Sequence, residues 1–83
     1  MLELRWSPRA QREGAKLPRD VRDRLTRALE RYVEERHGDV RLVRGTQPEE
    51  WRLRVGDYRI RFRVRGDVLE VLHVGHRREV YRR

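Results

Sequence analysis

The run Tyr58-Arg59-Ile60-Arg61-Phe62-Arg63-Val64-Arg65 alternates arginine with apolar side chains over eight residues, and few backbones can accommodate it. In an extended strand successive side chains point to opposite faces, so a hydrophobic row lies on one side and four guanidinium groups lie on the other. A helix would mix the two sets around its circumference. The chain is therefore organised around a sheet with one face for a core and one face for an anionic partner.

The flanking residues extend this pattern. Trp51, Leu53 and Val55 alternate with Arg52 and Arg54, and Gly56-Asp57 and Gly66-Asp67 supply two-residue turns on either side of the central run. Val68 to Val74 is apolar on both faces, as a strand inside a sheet is. These residues predict a three-stranded antiparallel meander. By parity Tyr58, Ile60, Phe62 and Val64 face the helices with Leu72 and Val74, while Arg52, Arg54, Arg59, Arg61 and Arg63 share the open face with His73 and, if extension continues, Arg77.

Upstream, Leu2, Leu4 and Trp6 alternate with charged residues as a short half-buried strand does. Ser7-Pro8 has the N-cap and first-turn chemistry that starts a helix, which ends near Gly14. Leu17-Pro18 opens a second helix, with Val21, Leu25, Ala28, Leu29, Tyr32 and Val33 on one stripe for the core. Residues 39–50 are expected to form a connecting loop whose Val40, Leu42 and Val43 dock on the core. The fold class is α+β: N-terminal strand, helical hairpin, and meander packed on the helices.

Eighty-three residues suffice for one domain, 1–83. The net charge of +8 is unevenly placed: residues 1–50 carry twelve basic and ten acidic side chains, and residues 51–83 carry ten and four. That field attracts polyanions, nucleic acid foremost. All the basic residues except Lys16 are arginine, which binds phosphate bidentately and stays protonated. With no cysteine there is no disulfide or thiolate metal site, and His37, His73 and His76 lack zinc-site spacing, so neither metal nor cofactor is expected. No apolar run is long enough for a bilayer and the N-terminus lacks the order of a signal peptide, so the expected location is the cytoplasm, with no membrane partner.

Trp51-Arg52-Leu53-Arg54, Gly56-Asp57-Tyr58-Arg59 and Val74-Gly75-His76-Arg77-Arg78-Glu79-Val80-Tyr81, in this order after a strand and a helical hairpin, resemble the RelE/ParE toxin superfamily and are most similar to its RelE branch. The resemblance implies the toxin of a type II toxin–antitoxin system: an endoribonuclease that cuts messenger RNA on the ribosome, is held inactive by an acidic antitoxin, and meets operator DNA only through the antitoxin complex. It places the site at Arg52, Arg54, Arg59, Arg77 and Tyr81. RelE carries lysines where Arg52 and Arg54 stand, and arginine does not release its proton, so the proton-transfer assignment does not carry over.

Metal-free cleavage through the ribose 2′-hydroxyl needs a proton acceptor, a stabiliser of phosphorane charge and a proton donor. Arg59 and Arg77 suit charge stabilisation, Arg52 and Arg54 flanking phosphates, and Tyr81 base stacking or proton donation. His76 is the candidate acid or base by its intrinsic pKa, with phosphate positioning as the competing role. Arg61, Arg63 and Arg65 are expected to form a solvated basic margin that guides RNA or ribosome docking. The alternatives are a ParE-like gyrase inhibitor, a non-catalytic RNA- or antitoxin-binding module, and a degenerate toxin.

Overall fold

A computed structural model describes residues 2–78. The elements are β1 (Glu3–Trp6), α1 (Pro8–Ala15), α2 (Arg19–Glu35), β2 (Asp39–Val43), β3 (Glu50–Val55), β4 (Tyr58–Arg65) and β5 (Val68–His76). The five strands form one sheet in the order β1-β5-β4-β3-β2. β2 to β5 are antiparallel neighbours, whereas β1 runs parallel to β5, with Leu4 opposite Leu69 and Trp6 opposite Val71. The parallel pairing follows from the helical hairpin, which carries the chain back between β1 and the antiparallel strands.

The antiparallel part thus has four strands where the sequence pattern predicts three. Residues 39–43, expected in a loop, pair with β3, Val40 opposite Leu53 and Leu42 opposite Trp51. β2 is an edge strand with a single neighbour, and its short pattern gives a weak signal. Thr46 closes the connection to β3: its hydroxyl donates to Val43 O and accepts from the Glu50 amide, both at 2.9 Å.

Local chemistry explains the other boundaries. Ser7 Oγ accepts the Ala10 amide at 3.0 Å with Pro8 behind it, which caps α1. Pro18, at the N-cap of α2, makes no side-chain cap hydrogen bond. Gly56 and Gly66 both take φ of +61° at the first central position of the two tight turns, a conformation glycine adopts without a Cβ clash.

Val21, Leu25, Leu29 and Val33 of α2 are buried over one face of the sheet with Leu53, Ile60, Phe62, Leu69, Val71 and Val74. Tyr32 packs on Phe62 with ring centroids 5.5 Å apart, in the core role its stripe predicts. Full burial of each large aliphatic or aromatic side chain contributes about 1.5–3 kcal/mol, which is how a charge-rich chain of this length holds a sheet.

β5 contains an irregularity that simple alternation does not show. Arg61 faces His73, but Phe62 faces Val71, so Leu72 is an extra residue bulged out of the ladder. The bulge corrects the expected parity: Val71 and Leu69, not Leu72, join Val74 in the core, and Leu72 is only partly buried. Its carbonyl lies 3.4 Å from the Ser7 hydroxyl.

Candidate nucleic-acid interface

The face opposite the core is built from cross-strand rows. In one row Arg41, Arg52, Arg61 and His73 stand opposite one another across β2, β3, β4 and β5. The next row holds Asp39, Arg54, Arg59 and Gly75. On the other side of the first row, Arg63 stands opposite Glu70, which in turn faces Arg5 of β1. Strands lie about 4.8 Å apart, so the rows hold like charges closer than bulk water would favour unless anions sit among them.

Some of those anions belong to the protein. Arg61 Nη2 lies 2.6 Å from Glu50 Oε1, and Arg63 Nε lies 3.5 Å from Glu70 Oε1. Arg61 is 6% exposed, which corrects the expectation of a solvated side chain there; Arg63 is half-buried and Arg65 is exposed. The Arg61–Glu50 contact is an ion pair by distance, while Arg61 Nε makes no hydrogen bond among the described residues. Charge is therefore matched internally at this end of the face.

At the other end it is not. Among the described residues no carboxylate comes within ion-pairing distance of Arg54 or Arg59. Arg54 is exposed, whereas Arg59 is 8% exposed and its Nη1 donates to the carbonyls of Gly56 and Tyr58, both at 3.2 Å. The neutral carbonyls orient this guanidinium without cancelling its charge, and its Nε lacks a partner among the described residues. Gly75, opposite Arg59, puts no side chain on this face.

Arg77 begins a helical turn, so the expected extension stops at His76. Its side chain is exposed and its amide donates to Asp57 O at 2.8 Å, which fastens it beside the same Gly56-Asp57 turn that Arg59 grips. The structure thus brings Arg54, Arg59 and the Arg77 backbone to one end of the sheet, with Arg52 in the adjoining row opposite Arg61. Tyr81 lies outside the described residues.

His76 is not on this face. It pairs with Tyr58, and their rings meet edge to face at 5.8 Å on the side that carries Ile60 and Phe62. The signal was present in the sequence, because His76 is two residues beyond Val74 and shares its side of the strand. His73 is the imidazole on the arginine face. Its Nδ1 lies 3.4 Å from Glu13 Oε2, and burial lowers its pKa below the ordinary 6.5, with Arg9 and Arg61 adding to the depression and Glu13 opposing it.

An open five-stranded sheet with α2 packed on one face and arginine rows on the other defines a small α+β protein. Residues 4–81 match the family described as the ParE toxin of type II toxin–antitoxin systems, parDE. The chain belongs to this family, within the RelE/ParE toxin superfamily.

Solved structures agree in fold. The intact RelBE toxin–antitoxin complex of E. coli matches with a TM-score of 0.75 and 25% identity, over 92% of this chain and 96% of that one. The isolated E. coli RelE toxin matches with a TM-score of 0.74 and 25% identity, over 92% and 84%. The RelB-RelE antitoxin–toxin complex of Methanococcus jannaschii gives 0.75 and 23%, over 93% and 94%. A search of curated proteins finds no match.

Proposed function

We propose that this member of the toxin family is a RelE-like, ribosome-dependent endoribonuclease that cuts messenger RNA by attack of a ribose 2′-hydroxyl on the adjacent phosphorus. The observation that carries the reading is the cross-strand pair Arg54–Arg59, without a carboxylate partner among the described residues, on an open sheet face whose other end is internally neutralised. A buried guanidinium held, among the described residues, by carbonyls alone keeps its full charge for a developing phosphorane dianion. Arg52 and Arg54 hold flanking phosphates, Arg77 adds charge at the leaving side, and Tyr81 stacks on a base or donates a proton. Arg63, half-buried and matched with Glu70, makes a weaker guiding margin, while Arg61 is buried against Glu50.

The proposed partner that restrains it is an acidic antitoxin, through whose complex operator DNA is reached; the E. coli RelBE structure of the same fold is itself a toxin–antitoxin complex. No described helix is long and apolar enough to cross a membrane.

Translating ribosomes incubated with wild type and with Arg59→Ala, Arg77→Ala and Tyr81→Phe test this by primer extension. Wild type is expected to yield discrete new RNA ends that the variants lose; intact message with wild type overturns the reading. The ParE match favours a second reading, inhibition of DNA gyrase. A supercoiling assay separates the two, since the nuclease reading predicts unaffected gyrase.

A further inference from the structure

The charged groups placed around the scissile phosphate, Arg52, Arg54, Arg59 and Arg77, are all arginines, and arginine holds its proton at any working pH. The reaction nonetheless requires a group to take the 2′ proton. On the described part of the arginine face there is one imidazole, His73, directly opposite Arg61 and two residues, or about 7 Å of strand, from the position facing Arg59.

Its surroundings are those of an oriented base. Glu13 Oε1 accepts the Val74 amide at 3.0 Å, which fixes the carboxylate to the strand next to the histidine. The other oxygen, Oε2, lies 3.4 Å from His73 Nδ1 and 3.3 Å from Arg9 Nε. A carboxylate 3.4 Å from Nδ1 favours the proton on that nitrogen, the tautomer that leaves the lone pair on Nε2. The charged groups facing the ring are Glu13 and Arg9 from α1 and Arg61 from β4. Burial and the two arginines keep it neutral near pH 7, the form able to accept a proton.

We propose that His73 is the general base of this site and that Glu13 is its positioning residue, an assignment that rests on the nuclease reading above. The 2′ proton passes to His73 Nε2 as the O2′–P bond forms. The P–O5′ bond then breaks, the 5′ oxygen takes a proton from water, and the products are a 2′,3′-cyclic phosphate and a 5′-hydroxyl. His73 returns its proton to solvent before the next cycle.

The test is single-turnover cleavage of ribosome-bound message from pH 5 to pH 8. Wild type is expected to show a rate that rises with pH through a midpoint below 6.5 and then levels. His73→Gln is expected to lose that rise and about 100-fold of the plateau. Glu13→Gln keeps an acceptor for the Val74 amide but removes the charge that raises the imidazole pKa, so its midpoint moves to lower pH. A His73→Gln protein with the wild-type plateau and pH limb overturns the assignment while leaving the nuclease reading in place; a wild type that cuts nothing overturns both. An NMR titration of the wild-type imidazole guards against misfolding of the variants: the Nδ1–H tautomer and a pKa equal to the kinetic midpoint are expected, and a mismatch in either contradicts the proposal.

Discussion

Arg59 and Arg61 are two residues apart on one strand, are equally hidden from solvent, and differ in what they face. Arg61 meets Glu50 at 2.6 Å, whereas Arg59 meets only carbonyl oxygens among the described residues. Removal of the carboxylate from the first pair leaves a buried cation uncompensated, so Glu50→Gln is expected to lower stability by about 3 kcal/mol in urea unfolding. His73 supplies a second residue-scale prediction. Its folded-state pKa is depressed, so the unfolded chain binds the extra proton first as pH falls. The stability it contributes is full above the unfolded value of about 6.5 and is lost as pH drops through the lower folded value, a slope that His73→Gln removes from thermal melts. None of these pairings was legible in the sequence. Glu50 reads as a loop residue until β2 turns its neighbourhood into a sheet, and an arginine's alternation reveals its face but not its counter-ion.

At the scale of elements, alternation and turn chemistry located β1, β3, β4 and β5, and helical spacing located the stripe of α2. What escaped them depends on a partner strand. β2 has five residues and one neighbour, and its pairing becomes apparent only against β3. The Leu72 bulge is set where β5 passes from pairing with β1 to lying under α1, and it exchanges Leu72 for Val71 on the core side. Two of these local devices have measurable costs. Ser7→Ala removes the cap on Ala10 and the contact to the Leu72 carbonyl, and is expected to cost about 1 kcal/mol by thermal or chemical unfolding. At Gly38, with φ of +156°, an added Cβ would meet Leu53 Cδ1 at 2.9 Å. Gly38→Ala is therefore expected to destabilise by about 1–2 kcal/mol, with the loss concentrated where α2 joins β2.

For the whole molecule, the charge difference between the two halves of the chain was readable at once, and its basic half forms strands β3 to β5. Its fine distribution was not. The carboxylates of Glu50 and Glu70 neutralise one end of the arginine face and leave the end with Arg54, Arg59 and the start of the Arg77 turn to meet an external anion. Binding to single-stranded RNA should weaken with salt, and Arg54→Ala should reduce the slope of log K against log salt by about 0.7, the share of one phosphate contact. Arg63→Ala should change that slope little. On the proposed nuclease reading the same polarity governs catalysis, and single-turnover cleavage of ribosome-bound message by Arg59→Ala and Arg63→Ala side by side tests it most directly. The account predicts a loss of about 100-fold or more for Arg59→Ala and a rate within about threefold of wild type for Arg63→Ala; equal losses in the two variants, or none in Arg59→Ala, would contradict it.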